Sequence, residues 1–105
     1  MNKKYYIYML RCEDNSLYTG VTVDIENRMK EHFEKGKACA KYTSSHNAKK
    51  LESVWQAENR SIASKLEYFI KRLPKVKKEQ LIKENNLEEL LGEKLDTNNY
   101  TKVNI

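Results

Sequence analysis

The stretch Tyr5-Tyr6-Ile7-Tyr8-Met9-Leu10-Arg11-Cys12, then Glu13-Asp14-Asn15-Ser16, then Leu17-Tyr18-Thr19-Gly20-Val21-Thr22-Val23 decides the fold. Its outer segments are rich in Tyr, Ile, Leu, Val and Thr, residue types that suit a pleated, half-buried surface. The four residues between them are turn formers. Together they predict strands over 5–12 and 17–23 joined as a hairpin. Side chains alternate along a strand, so Tyr6, Tyr8 and Leu10 share one face and Tyr5, Ile7 and Met9 the other. Both faces are apolar or aromatic, which predicts a hairpin covered on both sides.

Downstream, Asp24 reads as a helix N-cap, with a helix from about 25 to 35 ending at Gly36. Ile25, Met29, His32 and Phe33 fall on one stripe of it, and Arg28 and His32 project from nearly the same line. Residues 36–49 have no clear period and read as a long loop. A third strand is expected over 51–57, around Val54 and Trp55. Ile62, Leu66, Phe69, Ile70 and Leu73 give the cleanest helical period in the chain, a helix over about 61–73. Pro74 ends it and opens a third helix to about Lys83. Asn86 caps a short helix reaching Leu91, and residues 96–105 are expected to lack regular structure. The reading is therefore one small α/β domain over 1–83, a three-stranded mixed or antiparallel sheet with helices packed around it. A short acidic helix and flexible tail follow over 84–105.

With 105 residues, the chain fits one domain. It is 39% hydrophobic and 33% charged, with three Gly and one Pro, a composition of globular rather than disordered proteins. No apolar run approaches the roughly 20 residues of a membrane span, and the N-terminus does not read as a signal peptide, so a cytoplasmic protein without membrane partners is expected. The two cysteines, Cys12 and Cys39, form neither a metal set nor a disulfide framework and read as free thiols. The net charge is +5. Residues 1–83 carry 18 Lys and Arg against 10 Asp and Glu, a balance of +8, and residues 84–105 carry 2 against 5, a balance of −3. A basic body with an acidic tail suits a polyanionic partner, above all nucleic acid.

These residues resemble a known family. Tyr6-Ile7-Tyr8, ten residues, then Tyr18-Thr19-Gly20 is similar to the motif pair that names the GIY-YIG nucleases. Arg28 and His32 in Arg28-Met29-Lys30-Glu31-His32-Phe33 resemble that family's helix arginine and histidine. Glu67 in Ala63-Ser64-Lys65-Leu66-Glu67 resembles its metal-binding glutamate. Ala40-Lys41-Tyr42-Thr43 looks like the small, stand-alone bacterial branch. The resemblance spans about residues 4–82. Tyr6 stands where the family name has glycine, and the C-terminal asparagine of some members has no counterpart here.

The resemblance implies a divalent-metal-dependent endonuclease-like domain that hydrolyses phosphodiester bonds, in DNA rather than RNA. The alternative is a module of the same fold that grips nucleic acid without cutting. Hydrolysis must deprotonate water, neutralise charge on the phosphate oxygens and stabilise the leaving oxygen. Glu67 can hold one Mg²⁺ through a hard oxygen ligand. Arg28 forks onto phosphate oxygens. One of Tyr8 and Tyr18 activates the water, and bringing a phenol from a pKa of about 10 to near 7 takes roughly 4 kcal/mol. His32 accepts or relays a proton near neutral pH. Lys41, Tyr42, Thr43, Lys49 and Lys50 interleave basic, aromatic and hydroxyl groups as nucleic-acid contacts. Plain structural roles compete with each assignment: Tyr8 and Tyr18 as core aromatics, Arg28 paired with Asp24, His32 as a core histidine, Glu67 paired with Lys71, and the lysines as solvated surface.

Overall fold

The predicted turn closes as expected. Cys12 N–H donates to Ser16 O (2.9 Å) and Asn15 N–H to Cys12 O (2.9 Å), while Asp14 Oδ1 accepts the Ser16 N–H (3.0 Å). Asn15 takes a left-handed conformation (φ 70°), which a short polar side chain tolerates. The turn joins β1 (Tyr5–Cys12) to β2 (Leu17–Thr22) in an antiparallel pair. The computed structural model describes residues 4–34 and 47–105.

Helix α1 (Ile25–Glu34) follows, capped by Asp24 Oδ1, which accepts the Asn27 N–H (3.1 Å). Strand β3 (Ala48–Ala57) pairs antiparallel with β1, placing Trp55 opposite Ile7 and Val54 opposite Tyr8. Helix α2 (Arg60–Arg72) starts at Asn59, whose Oδ1 accepts the Ile62 N–H (2.9 Å), and stops before Pro74. Helices α3 (Lys75–Glu84) and α4 (Leu87–Leu91) come next, then a 3₁₀ turn (Thr97–Asn99) and β4 (Thr101–Val103).

The sheet has four strands, in the order β2-β1-β3-β4 and antiparallel throughout, where three are expected. The fourth arises because the C-terminal segment is part of the fold rather than a flexible tail. Val103 pairs with Val54 and Lys102 with Trp55, and Lys102 Nζ sits 5.8 Å from the Trp55 ring centroid. Tyr100 is buried and its hydroxyl donates to Ile62 O (2.7 Å), tying this segment to α2. Three residues are too few to display a strand period among polar neighbours, so β4 is defined by what it packs on.

The alternation in β1 builds two cores. Ile7 and Met9 join Trp55, Ala57, Leu66, Ile70, Leu81, Leu87, Leu91 and Tyr100 under α2–α4. Tyr8 and Leu10 join Val54 on the opposite face, packed with Ile25 and Met29 of α1. The hairpin is thus covered on both sides, as its apolar faces require. Arg11 anchors its turn end. It pairs with Glu52 of β3 (2.6 Å) and bidentately with Glu79 of α3 (2.7 and 2.5 Å), and it donates to Asn15 (2.8 Å). Among the described residues no helix is long and apolar enough to cross a membrane.

Replacing Tyr100 by alanine removes a buried ring and its bond to Ile62. We expect a loss of about 3 kcal/mol in urea denaturation. An unchanged midpoint would show that the C-terminal segment does not stabilise the domain.

Candidate active site

In the β1–β2 register Tyr8 lies opposite Gly20, and both belong to the face that α1 covers. A Cβ built on Gly20 would stand 2.5 Å from the Tyr8 hydroxyl oxygen, 2.7 Å from its Cζ and 3.0 Å from Tyr18 Cε2. Gly20 has no positive φ. Space, not backbone freedom, calls for glycine here, because the Tyr8 ring lies across β2. A glycine inside a strand is itself a sign of such close approach.

The phenol lying across β2 meets α1. Its hydroxyl is 2.8 Å from His32 Nε2 and takes a long 3.4 Å contact from Arg28 Nε. The one-turn spacing of Arg28 and His32 brings both to Tyr8. Tyr8, Tyr18 and His32 form an aromatic triangle, with ring centroids 6.1, 5.5 and 5.4 Å apart. The guanidinium of Arg28 also pairs with Glu31 (2.6 Å), and not with Asp24. Burial works against its charge, but the bonds to Glu31 and Tyr8 outweigh that and hold its pKa above the ordinary arginine value.

Burial and protonation go together at this cluster. Tyr8 is only 1% exposed and His32 fully buried. Desolvation pushes the Tyr8 phenol up to about 12, against the pull of Arg28. Desolvation, helped by the Arg28 charge, lowers His32 to about 4. At neutral pH the pair is therefore a neutral phenol beside a neutral imidazole, a geometry through which a proton can pass.

Tyr8, Tyr18, Arg28 and Glu67 line one cleft of about 350 Å³ at the open β2 edge of the sheet, with Tyr5, Val21, Thr22, Val23, Arg60 and Ser64. α1 brings Arg28 from one face and α2 brings Glu67 from the other. Glu67 is ion-paired with Lys71 (3.3 Å), whose Nζ lies 6.0 Å from the Tyr18 ring centroid. His32 stands behind Tyr8 rather than on the cleft wall. Lys49 and Lys50 are exposed at the start of β3, where Lys50 pairs in register with Arg11, and neither lines the cleft. Lys41, Tyr42 and Thr43, like Cys39 and His46, lie outside the described residues. Cys12 is buried at the end of β1, and burial raises its thiol pKa, so it suits a packing role.

Sequence reasoning missed several residues that line the cleft or shape it from behind. Gly20 enters it only as the end of a motif, although a strand glycine is a signal in its own right. Arg60 and Ser64 go unread, yet with Glu67 they sit at i, i+4 and i+7 of α2. Glu31, three residues after Arg28, is the neighbour that holds the guanidinium.

Two measurements check this site. Gly20→Ala drives a methyl against the Tyr8 phenol, so the ring must leave its contact with His32 or the strands must shift, and we expect a loss of about 1–3 kcal/mol in stability. Wild-type stability after this change would place Tyr8 elsewhere. His32 has a folded pKa below its unfolded value. The unfolded chain therefore binds more protons between about pH 4 and 6.5. Stability should fall as the pH drops through that window, by an amount on the order of 3 kcal/mol. His32→Asn should flatten that part of the curve, and a curve of unchanged slope would show that the imidazole titrates normally.

Comparison with known proteins gives the site its context. Residues 4–86 match the GIY-YIG catalytic domain. A UPF0213 protein of Fusobacterium nucleatum is 53% identical over 79 residues, covering 74% of this chain and 76% of its own. A second, from Syntrophus aciditrophicus, is 45% identical over 82 residues, 78% of this chain and 93% of that one. The solution NMR structure of a UPF0213 protein from Bacillus halodurans aligns with a TM-score of 0.51 at 36% identity, covering 89% of this chain and 97% of that one. A tyrosine pair on a hairpin, an arginine on the next helix and a glutamate on the later one thus sit within a domain of known kind, and the chain belongs to the GIY-YIG family, among its small bacterial UPF0213 proteins.

Proposed function

We propose that this chain is a divalent-metal-dependent endonuclease domain that hydrolyses DNA phosphodiester bonds. The observation that carries this reading is the convergence of Tyr8, Tyr18, Arg28 and Glu67 on one cleft. A basic body of +8 over residues 1–83 supports a polyanionic substrate.

Arg28 supplies a fixed positive charge for the phosphate oxygens. The in-line water attacks phosphorus, and the bond to the 3′ oxygen breaks as that oxygen takes up a proton from water in the open cleft. Because the Tyr8 phenol is pushed up to about 12, it is not a standing base. It takes the proton of the water as its own proton passes to His32 Nε2, 2.8 Å away, and because burial and the Arg28 charge hold that imidazole at about 4, the proton is handed back through the phenol to the cleft. Tyr18, less buried and on the same cleft wall, is the second phenol available to orient that water.

Glu67 is the residue that would hold a divalent ion. A single carboxylate at a cleft lip fits Mg²⁺, which commonly keeps several waters and takes one or two carboxylates plus substrate phosphates. Among the described residues that line the cleft, Glu67 is the carboxylate. When bound, the ion polarises the phosphate and neutralises the charge that builds on it.

A second reading, binding without cleavage, draws on the ion pair that Glu67 already makes with Lys71. One experiment separates the two. Supercoiled and branched DNA are incubated with wild type and Glu67→Ala, with Mg²⁺ and with chelator. The nuclease reading expects metal-dependent nicking that falls roughly 100-fold or more in the variant. DNA left equally intact by both proteins while both bind it leaves only the binding module.

A further inference from the structure

Arg60, Ser64, Glu67 and Lys71 lie on α2 at i, i+4, i+7 and i+11. At 100° per residue they fall within about 60° of arc, a single straight stripe beside the buried face of Ala63, Leu66 and Ile70. Arg60, Ser64 and Glu67 line the cleft, and Lys71 continues the stripe past the Tyr18 ring. Arg60 is exposed and makes no ion pair among the described residues, and the Lys71 side chain is half exposed. With 1.5 Å of rise per residue, Arg60 stands about 10 Å to one side of Glu67 and Lys71 about 6 Å to the other.

We infer that this stripe is a phosphate track, in which Arg60 and Lys71 bind backbone phosphates on either side of the one that Arg28 holds across the cleft from Glu67. This rests on the nucleic-acid reading above. Phosphates of one duplex strand advance about 3.4 Å along the axis, so the stripe spans about three on the Arg60 side of the reacting one and about two on the Lys71 side. Ser64, between the two cations, has the hydroxyl that such a track uses for a further phosphate oxygen. An ammonium near Glu67 has a ready anion in a neighbouring phosphate. Phosphate contacts of this kind give affinity and register rather than sequence preference.

The test measures binding of a fluorescein-labelled 20-base-pair duplex in excess chelator, from 50 to 200 mM salt. Removing one cation from a phosphate lowers the slope of log affinity against log salt by about 0.9. R60Q/K71Q should lower it by roughly 1.8, making the fall in affinity over that range about tenfold smaller, and each single change should give half that slope change. R60K/K71R should keep the wild-type slope, which separates charge from folding. Lys65→Gln, an exposed cation on the other side of α2, should leave the slope alone. A wild-type slope in R60Q/K71Q overturns the track while the nuclease reading stands. An equal fall in Lys65→Gln overturns it in favour of a diffuse charge effect. No binding by wild type at 50 mM salt defeats both.

Discussion

Everything at the cleft depends on one steric fact: the side chain missing at Gly20. Because β2 has no Cβ there, the Tyr8 ring lies across the strand and its hydroxyl reaches α1. That contact puts the phenol against His32 and Arg28 and brings Tyr18 alongside. A strand pair is normally stabilised by side chains packing opposite one another. Here one partner is absent so that the other can leave its own row, and a site gains a phenol where a cross-strand pair would otherwise form.

Around that point, burial and charge are set against each other. Desolvation keeps both Tyr8 and His32 neutral, while Arg28 stays charged by leaning on Glu31. The cluster therefore holds one permanent positive charge and one proton that can move. The opposite wall, on α2, carries alternating signs on a single stripe, from Arg60 through Glu67 to Lys71. Arg11, shared between Glu52 and Glu79, pins the turn end of the hairpin to β3 and α3. Removing one member of such a part-buried set would strand a charge, so the network specifies an arrangement more than it adds stability.

Much of this is legible in the linear pattern. Alternation in β1 announces two buried faces, and Ile7 and Tyr8 do part to opposite cores. The period of Ile62, Leu66 and Ile70 marks the buried face of α2, and Asp24 caps its helix by the rule its side chain follows. Arg28 and His32, one turn apart, announce a shared target. β4 is not legible, since a three-residue strand has too little pattern of its own and pairs only because Trp55 and Val54 present an edge. Nor is the distance of Lys49 and Lys50 from the cleft, because their charge says nothing about which end of the sheet β3 enters from.

The sequence by itself determined the elements other than β4, their faces and the residue types with chemistry to offer. Local sterics and hydrophobic period act over a few residues and are written in order along the chain. Tertiary structure alone decided that β2 is the open edge, that α1 and α2 approach it from opposite faces, and that Tyr8 is held protonated while Tyr18 stays nearer solvent. Those outcomes depend on contacts between residues roughly 20 to 60 positions apart and on how much water each contact excludes. Neither the separation nor the solvent is encoded at any one position, so both appear only once the chain has packed.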